Sequence, residues 1–475
     1  MIAAPQGRSG KTIVAIGLCA ALRKKGLSVK PFKKGPDYID PSWLAAASKE
    51  TCSNLDPFMF TEPTIRGAFQ AGCAGKDIAV IEGSMGLYDT SEEGGRGSSA
   101  WLARLLQTPV ILVVNASRMA RSAAAMVKGY QDFEPDTDIA GVILNNVSGA
   151  RHVDKLIRAI ESYCGIPVLG AIPRTGDLKI KERHLGIVPF IEQERAAEII
   201  DRISELVEAN VDIDRLLAIA RRDGASDPSA AADAPEGTSL RHTIVNICRD
   251  GSSEPSANPS AKIAILRDKA FSFYYPENLE ALCNAGAELV YVNSFKESLP
   301  ADTDGLYIGG GFPELYAGEL EKNAVLRHSI ARLAGDGLPV YAECAGLLYL
   351  CRSVAIQGRR YEMTDVLDCD ATIENRPQGH GYMEVEVTGL NPFFAEKTVL
   401  RSHEFHHSRL SGTQNLHFAF KVRRGHGIDG SHDGIMYKNV IASYMHIHAL
   451  AVPAWADHFV KLCSGHKINL MKTPV

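Results

Sequence analysis

The segment Pro5-Gln-Gly-Arg-Ser-Gly-Lys-Thr12 lies between a short apolar run and an amphipathic stretch, and it decides the fold of the first half of the chain. A strand, this loop and a helix, in that order, form the context that a phosphate-binding P-loop requires. Gly7 and Gly10 let backbone N–H groups approach phosphates, and the helix N-terminus adds partial positive charge. Lys11 would contact the β- and γ-phosphates, and Thr12 would ligate Mg²⁺. We therefore predict a nucleotide site here.

Short runs of apolar and β-branched residues alternate with longer amphipathic stretches on both sides of a polar segment. Such alternation is typical of parallel sheets covered by helices, so the predicted fold class is α/β, in two domains. The predicted strands include Ile78–Ile81, Val110–Val114, Val142–Leu144 and Val168–Ile172 in the first half, and Lys262–Leu266, Glu288–Val292, Leu306–Ile308 and Pro339–Tyr341 in the second.

The polar segment runs from about Asp223 to Ser260 and is rich in Ala, Ser, Pro, Asp and Gly, which predicts a disordered linker. The domains are accordingly predicted at 1–222 and 261–465, with the linker at 223–260 and a tail at 466–475. Only Met1 to Ala4 precede the P-loop. Because a central strand usually has about five residues, a start upstream of Met1 is left open.

The composition is that of a soluble globular protein, with 45% hydrophobic and 23% charged residues. The net charge of −5 is spread along the chain, so no nucleic-acid partner is predicted. No apolar run approaches the ~20 residues that span a bilayer, and the N-terminus lacks the layout of a signal peptide. We therefore expect a cytoplasmic protein with no membrane partner. The ten cysteines form no CxxC pair, which argues against a zinc ribbon or a disulfide framework.

Two charged loops follow predicted strands in the first half. One is Lys33-Lys-Gly-Pro-Asp-Tyr-Ile-Asp40, and the other is Glu82-Gly-Ser-Met-Gly-Leu-Tyr-Asp89. A charged loop is more often a solvated surface, but parallel sheets bind ligands at the carboxyl ends of their strands. A P-loop also needs oxygen ligands for Mg²⁺, which acids at strand ends supply. We therefore predict that both loops belong to the nucleotide site.

The run Pro339-Val-Tyr-Ala-Glu-Cys-Ala-Gly-Leu-Leu348 reads as an apolar strand, a small-residue turn at Cys344 and the start of a helix. This is the pattern of a nucleophile elbow, in which a sharp turn projects the side chain and the helix N-terminus favours a thiolate. The N–H of Ala345 is a candidate oxyanion donor. A second candidate comes from the turn Gly309–Gly311, through Gly310 and Gly311.

A cysteine nucleophile needs a base, and Ser443-Tyr-Met-His-Ile-His448 offers His446 at the end of a predicted strand. A single cysteine is usually an inert, buried side chain. The elbow, the glycine turn and the late histidine together favour a catalytic Cys344.

His403-Glu-Phe-His-His407 matches the HExxH zinc-protease pattern letter by letter. That motif works only on a helix, where both histidines face the same side. The flanking segments read as strand and turn, so we predict a structural or substrate-contacting loop. Whether His380, His403, His406 or His407 contacts a substrate is left open.

Several motifs together resemble the cobyrinic acid a,c-diamide synthase family over nearly the whole chain apart from the linker. The motifs that carry the resemblance are Ala4–Thr12, Pro31–Pro41, Asn54–Asp56, Glu82–Asp89, Gly309–Glu314, Tyr341–Gly346 and Ser443–His448.

The resemblance implies a dethiobiotin-synthetase-like amide ligase domain at 1–222, fused to a class I, triad-type glutamine amidotransferase domain at 261–465. The family converts the a and c acetate side chains of a tetrapyrrole into amides, through an acyl phosphate and ammonia from a Cys-His glutaminase. The implied cofactors are ATP and Mg²⁺, and the implied partners are glutamine and a tetrapyrrole carboxylate. A homodimer is left open.

Roles are carried over motif by motif. The residues implied to serve ATP and Mg²⁺ are Lys11, Thr12, Lys33, Asp37 and Glu82, and those implied near the tetrapyrrole carboxylate are Tyr38, Asp40 and Asp89. Cys344 would attack glutamine, and His446 would raise its nucleophilicity. Related glutaminases place a glutamate two residues after the histidine, whereas this chain has His448. The family lineage often lacks that glutamate, so activity is still expected.

Relatives that amidate sirohaem or nickel-sirohydrochlorin offer an alternative substrate for the same chemistry. Lys34, Pro41–Trp43 and Arg376–Tyr382 look more like those relatives. An alternative of another class is a P-loop regulatory ATPase with an inactive glutaminase-like domain, but its signature lysine would fall at Gln6. A ligase that takes free ammonia and a tetrapyrrole-binding module without catalysis are further alternatives.

Overall fold

The computed structural model describes residues 1–90, 92–174, 180, 182–183, 186–222, 259–389 and 391–472. The chain forms two units, Met1–Leu240 and Arg241–Val475. Residues 223–258 of the predicted linker lie outside the described residues, so its disorder stays a prediction. The predicted tail from residue 466 begins within the last helix, which spans Ala454–Lys472.

The first unit alternates strands and helices, as predicted. Its strands are β1 (Ile2–Ala3), β2 (Val29–Lys34), β3 (Ser53–Leu55), β4 (Ile78–Glu82), β5 (Val110–Asn115), β6 (Ile139–Val147), β7 (Val168–Pro173), β8 (Glu182–Arg183) and β9 (Gly186–Ile187). Its helices are α1 (Lys11–Lys24), α2 (Ile39–Ser48), α3 (Glu62–Cys73), α4 (Ser99–Leu105), α5 (Arg121–Phe133), α6 (Ala150–Cys164), α7 (Ala196–Asn210) and α8 (Ile213–Arg222).

Seven of these strands form one parallel sheet in the order β3-β2-β4-β1-β5-β6-β7. The inner strand β5 is apolar and buried along nearly its whole length, because helices cover both faces of the sheet. Each fully buried Val, Leu or Ile contributes roughly 1.5–3 kcal/mol through the hydrophobic effect. The sheet places the ends of β1, β2 and β4 side by side, and there the P-loop and both charged loops begin.

Helix α1 is buried on most of its surface because it lies between the sheet and α7. A Cβ atom at Gly17 would collide with the side chain of Val207 on α7. The absence of a side chain at Gly17 therefore allows the two helices to approach closely. This contact holds the helix that carries Lys11 and Thr12 firmly against the core.

The second unit contains more strands than helices. Its strands are β10 (Ala261–Leu266), β11 (Ala287–Val292), β12 (Gly305–Ile308), β13 (Val340–Glu343), β14 (Cys351–Ile356), β15 (Arg359–Glu362), β16 (Leu367–Ile373), β17 (Gly379–Val387), β18 (Val399–His406), β19 (Ser408–Ser411), β20 (His417–Arg424), β21 (His432–Tyr437) and β22 (Val440–Ser443). Its helices are α9 (Pro276–Asn284), α10 (Ala317–Lys322), α11 (Ala324–Gly335), α12 (Ala345–Leu350) and α13 (Ala454–Lys472).

Nine strands form a mixed sheet in the order β11-β10-β12-β13-β22-β21-β20-β17-β18. The first five are parallel, and the remaining pairs are antiparallel. A smaller sheet has the order β15-β14-β16-β19. The predicted strands of both halves are confirmed, and the parallel strands β12, β13 and β22 bring the glycine turn, the cysteine and the late histidine to one edge.

In the part of the chain that the structure describes, no helix combines the length and the hydrophobicity that crossing a membrane requires.

Candidate functional site

The loop between β1 and α1 has the backbone geometry that its glycines predict. Gly10 caps α1 in the left-handed conformation, with φ of 94°, which a side chain would strain. A Cβ atom there would also collide with the Asn145 amide, whose nitrogen donates to the carbonyl of Ser9 at 2.9 Å. Gly7 faces open space. The loop is therefore braced on one side and accessible on the other.

Five predicted residues of the charged loops and the P-loop lie together at the ends of β2 and β4. Lys33 Nζ is 2.5 Å from Asp40 Oδ2, 3.3 Å from Glu82 Oε1 and 3.6 Å from Asp37 Oδ2. Thr12 Oγ1 donates a hydrogen bond of 2.6 Å to Glu82 Oε1. The two loops and the P-loop thus form a single site.

The charges in this cluster depend on one another. Burial opposes the charged form of Lys33, but the attraction of Asp40, Glu82 and Asp37 outweighs it and raises the lysine pKa. Burial and the neighbouring Asp40 raise the pKa of Glu82 to about 7 and that of Asp37 to about 6. Burial, with repulsion from Lys33, lowers the pKa of Lys11. The site therefore has unfavourable carboxylate repulsion that a bound cation would relieve.

The described residues contain no group of three or more His, Cys, Asp or Glu side chains already arranged to hold a metal ion. In place of a metal ion, the ammonium group of Lys33 lies among the carboxylates of Asp37, Asp40 and Glu82. Glu82 Oε2, however, is buried and accepts no hydrogen bond from the described residues. Together with the Thr12 hydroxyl, it offers the hard oxygen donors that Mg²⁺ prefers.

The raised pKa of Glu82 predicts a pH-dependent stability. Between its ordinary value of 4.5 and about 7, the folded protein holds more protons at Glu82 than the unfolded chain does. Stability from this group is therefore lost as the pH rises through that window. In Glu82→Gln, the unfolding temperature should fall less steeply from about pH 5 to about pH 8 than in the parent. Exposed Glu205 on α7 provides the control, because Glu205→Gln should parallel the parent. Parallel curves for Glu82→Gln would contradict this prediction.

Asp89 and Tyr38 belong to the same two charged loops, and Asp89 is close enough to Lys34 to oppose the lowering of that lysine's pKa by burial. Asp89 is exposed, and its Oδ2 accepts the N–H of Gly86 at 2.9 Å, which shapes its own loop. Tyr38 is half-buried immediately before α2. Asp40 is predicted to lie near the substrate, yet here it is the nearest partner of Lys33. Their roles toward a substrate stay predictions.

In the second unit, Cys344 adopts the elbow geometry that its flanking residues predict. It follows β13 directly, precedes α12 and has φ of 47° and ψ of −94°. A non-glycine residue rarely adopts such a conformation, which stores strain at a functional turn. A Cβ atom at Gly346 would collide with the carbonyl oxygen of Ile308, so the glycine allows the tight turn from strand to helix.

Burial of Cys344 outweighs the predicted stabilisation of its thiolate by the N-terminus of α12. Cys344 is buried, and its Sγ lies 3.6 Å from the Phe405 carbonyl oxygen. Burial raises the pKa of Cys344, Glu314 adds to this, and the N–H of Ala345 acts in the opposite direction. The thiol is therefore protonated in this state. A base must remove its proton before or during attack on a substrate.

The glycine turn packs directly against the predicted base. A Cβ atom at Gly310 would collide with Cε1 of His446, so the ring lies on the bare backbone of this turn. The N–H of Gly310 already donates a hydrogen bond of 3.3 Å to the Phe273 carbonyl. This argues against its predicted role as an oxyanion donor. The N–H groups of Gly311 and Ala345 stay as the predicted donors.

The residues of the HExxH pattern form the end of β18 and the residue after it, so they are not on a helix, and the predicted loop is wrong. Their side chains alternate between faces, as strand geometry requires. His403 stacks on His446 with ring centroids 4.9 Å apart, whereas His406 stacks on Tyr444. Burial, with the nearby His446, lowers the pKa of His403 well below its usual value. The two histidines of the pattern, His403 and His407, are four residues apart, which along an extended strand is roughly 13 Å. They therefore cannot bind one zinc ion as the histidines of a helical HExxH motif do.

Both predicted domains match known families. The family described as "CobQ/CobB/MinD/ParA nucleotide binding domain" matches residues 1–187, and the "CobB/CobQ-like glutamine amidotransferase domain" matches residues 262–454. Three curated relatives bear the name cobyrinate a,c-diamide synthase. The relative from Magnetococcus marinus is 42% identical over 97% of this chain and 96% of its own length. Those from Archaeoglobus fulgidus and Methanosarcina acetivorans are 40% and 38% identical over 97% of this chain and 96% and 94% of their own.

The chain belongs to the cobyrinate a,c-diamide synthase family. The predicted family is thus confirmed, as is the α/β fold class with a nucleotide-binding domain and a glutamine amidotransferase domain. The roles of individual site residues in this family member stay predictions.

Several contacts of this family member involve residues for which no role was predicted from the sequence. Asn145 braces the P-loop from the end of β6, and its position directly after an apolar run was the only available signal. Asn54 Nδ2 donates to the carbonyls of Gly35 and Asp37, both at 2.8 Å, and so holds the loop after β2. Lys34 is buried beside this cluster. Burial lowers its pKa, although Asp56 partly offsets the effect.

Proposed function

We propose that this chain uses ATP and glutamine to amidate the a and c acetate side chains of cobyrinic acid. One observation carries the proposal. A P-loop cluster and a cysteine elbow occur on one chain that is 42% identical, over 97% of its length, to a protein named cobyrinate a,c-diamide synthase. A regulatory ATPase would not need a strained elbow cysteine at the end of a strand whose parallel neighbour leads to a buried histidine.

At the P-loop, the proposed reaction activates a carboxylate. An acetate oxygen of the substrate attacks the γ-phosphorus of ATP, ADP leaves, and ammonia then displaces phosphate from the acyl phosphate. Lys11 and Lys33 neutralise charge that builds on the transferring group. Thr12 and Glu82 would hold Mg²⁺, which supplies further neutralisation of the phosphates when bound.

At the elbow, the proposed reaction releases ammonia from glutamine. The Cys344 thiol gives its proton to His446, and the sulfur attacks the amide carbon to form a γ-glutamyl thioester. The N–H groups of Gly311 and Ala345 would stabilise the oxyanion of the tetrahedral intermediate. Water then hydrolyses the thioester to glutamate and restores the thiol.

The substrate is tested by mass spectrometry of products formed with ATP, Mg²⁺ and glutamine. Cobyrinic acid, sirohaem and nickel-sirohydrochlorin are offered in parallel, with reactions lacking ATP as controls. We expect two amidations of cobyrinic acid. Two amidations of sirohaem or nickel-sirohydrochlorin instead would assign the chain to the alternative substrate. Glutamine hydrolysis without amidation of any of the three would contradict the proposed substrate class.

We also propose a cytoplasmic location, on the basis of the overall composition. A homodimer stays a prediction that the mass of the native particle would test.

A further inference from the structure

His446 needs a partner that the sequence pattern does not supply. Its side chain is buried, so forming the imidazolium that results from taking a thiol proton is costly without a nearby negative charge. The residue two positions later is His448 instead of a carboxylate. His448 Nε2 is 3.4 Å from Glu277 Oε2, and its ring packs on Tyr275.

A carboxylate reaches His446 from another direction. Glu343, the last residue of β13, has 1% of its side chain exposed, and its Oε2 lies 3.8 Å from His446 Nδ1. This distance is too long for a direct hydrogen bond, but it is short for a charge interaction in a buried setting.

Glu343 is itself held in place from two sides. Tyr307 on β12 donates its hydroxyl to Glu343 Oε2 at 3.1 Å. The N–H of Ile447 donates to Oε1, also at 3.1 Å. Because Ile447 follows His446 and Glu343 precedes Cys344, this carboxylate connects the backbone segments that carry the base and the nucleophile.

The other groups around His446 do not replace this charge. His403, on β18, stacks on the ring at 4.9 Å, and burial keeps it neutral. Cys344 follows β13 and is protonated in this state. His448 lies beyond His446 and faces Glu277 on α9. Asp433, on β21, accepts hydrogen bonds from Ser443 and from the backbone of Tyr444.

We propose that Glu343 is a positioning residue of the glutaminase reaction, which orients His446 toward Cys344 and stabilises its imidazolium. The inference rests on the proposed glutaminase function. As the S–H bond of Cys344 breaks, the proton moves to the ring nitrogen opposite the one that faces Glu343. The same proton then leaves on the departing ammonia as the thioester forms. Glu343 exchanges no proton in this step.

The test compares Glu343→Gln and Glu343→Asp with the parent, by glutamine hydrolysis as a function of pH and by amidation with ammonium. We expect Glu343→Gln to lower kcat for glutamine roughly 10²-fold or more while KM changes by no more than a few-fold. The acidic limb of its pH profile should move to lower pH, because the imidazolium loses its stabilising charge. Glu343→Asp should restore part of kcat. Amidation with ammonium should be unchanged.

Glu277→Gln is the matched comparison, since it removes the carboxylate that faces His448 instead of His446. We expect it to stay within about threefold of the parent, because its effect on the base is indirect. A larger loss in Glu277→Gln than in Glu343→Gln would overturn the proposal. A kcat for Glu343→Gln equal to that of the parent would also overturn it. The same holds if Glu343→Gln loses activity without any shift of its pH profile and Glu343→Asp restores none of the lost kcat.

If Glu343→Gln fails to fold, Tyr307→Phe keeps the proposal testable. This change removes the hydrogen bond to Glu343 and the weaker one of 3.4 Å that the hydroxyl accepts from Asn278 Nδ2. We expect a roughly 3- to 10-fold loss of kcat with the same direction of pH shift. An unchanged profile in a folded Tyr307→Phe would count against Glu343. A parent enzyme without glutaminase activity would instead overturn the proposed function itself.

Discussion

Replacing Cys344 with alanine is expected to abolish amidation with glutamine and to leave amidation with ammonium intact. The Cys344 thiol is the predicted nucleophile of the glutaminase reaction, and alanine has no group that can form the thioester. Removing a covalent nucleophile typically costs several orders of magnitude in rate, on the order of 10⁴ or more. Ammonium bypasses this step, because free ammonia can attack the acyl phosphate directly. The measurement is product formation with each nitrogen donor at saturating ATP.

Cys283→Ala is the control for this prediction. Cys283 is half-buried on α9 of the same unit, away from the elbow, and its replacement should leave both activities near the parent level. If a folded Cys344→Ala lost both activities together, the proposed division of labour between the two sites would be wrong. If it kept glutamine use, Cys344 would be a structural residue.

Replacing Lys11 with alanine should have the complementary effect. Lys11 is the first residue of α1 and is largely buried beside Lys33. Without it, the phosphates lose a preorganised positive charge, and amidation should fall roughly 10²- to 10³-fold or more with either nitrogen donor. Glutamine hydrolysis at Cys344 should persist. Amidation with ammonium and glutamine hydrolysis are measured on the same preparation.

Lys25→Ala is the matched control, because Lys25 caps the opposite end of α1 and forms an exposed ion pair with Asp214. Exposed pairs of this kind contribute little to stability, so this variant should behave like the parent. Ammonium-dependent amidation at the parent rate in Lys11→Ala would refute the P-loop assignment. A loss confined to glutamine use would refute it equally.

Much of this protein was predictable from local sequence patterns. The P-loop, the elbow and the parallel strands depend on short-range features, namely glycines at tight turns and runs of apolar residues, whose conformations hardly depend on the rest of the chain. For this reason Gly10 and Cys344 have the backbone geometries that their neighbours predict. The rejection of the HExxH pattern also followed from its flanking residues, which form β18 as expected.

Interactions between distant residues were decided only by the tertiary structure. Both charged loops were predicted to belong to the nucleotide site, but the direct contacts of Lys33 with Asp40 and Glu82 depend on the order of β2, β4 and β1 in the sheet. Helix-end chemistry predicted a thiolate at Cys344, whereas burial, which depends on every packed neighbour, keeps the thiol protonated.

The carboxylate nearest His446 was likewise identified only by the tertiary structure. Sequence reasoning sought a carboxylate two residues after the histidine and met His448. Glu343 stood next to the cysteine in the sequence but is separated from His446 by about a hundred residues, so no local pattern linked them. The parallel pairing of β13 with β22 is what brings the two side chains together. Local sequence therefore determined which chemical groups this protein has, and the pairing of its strands decided which of them face one another.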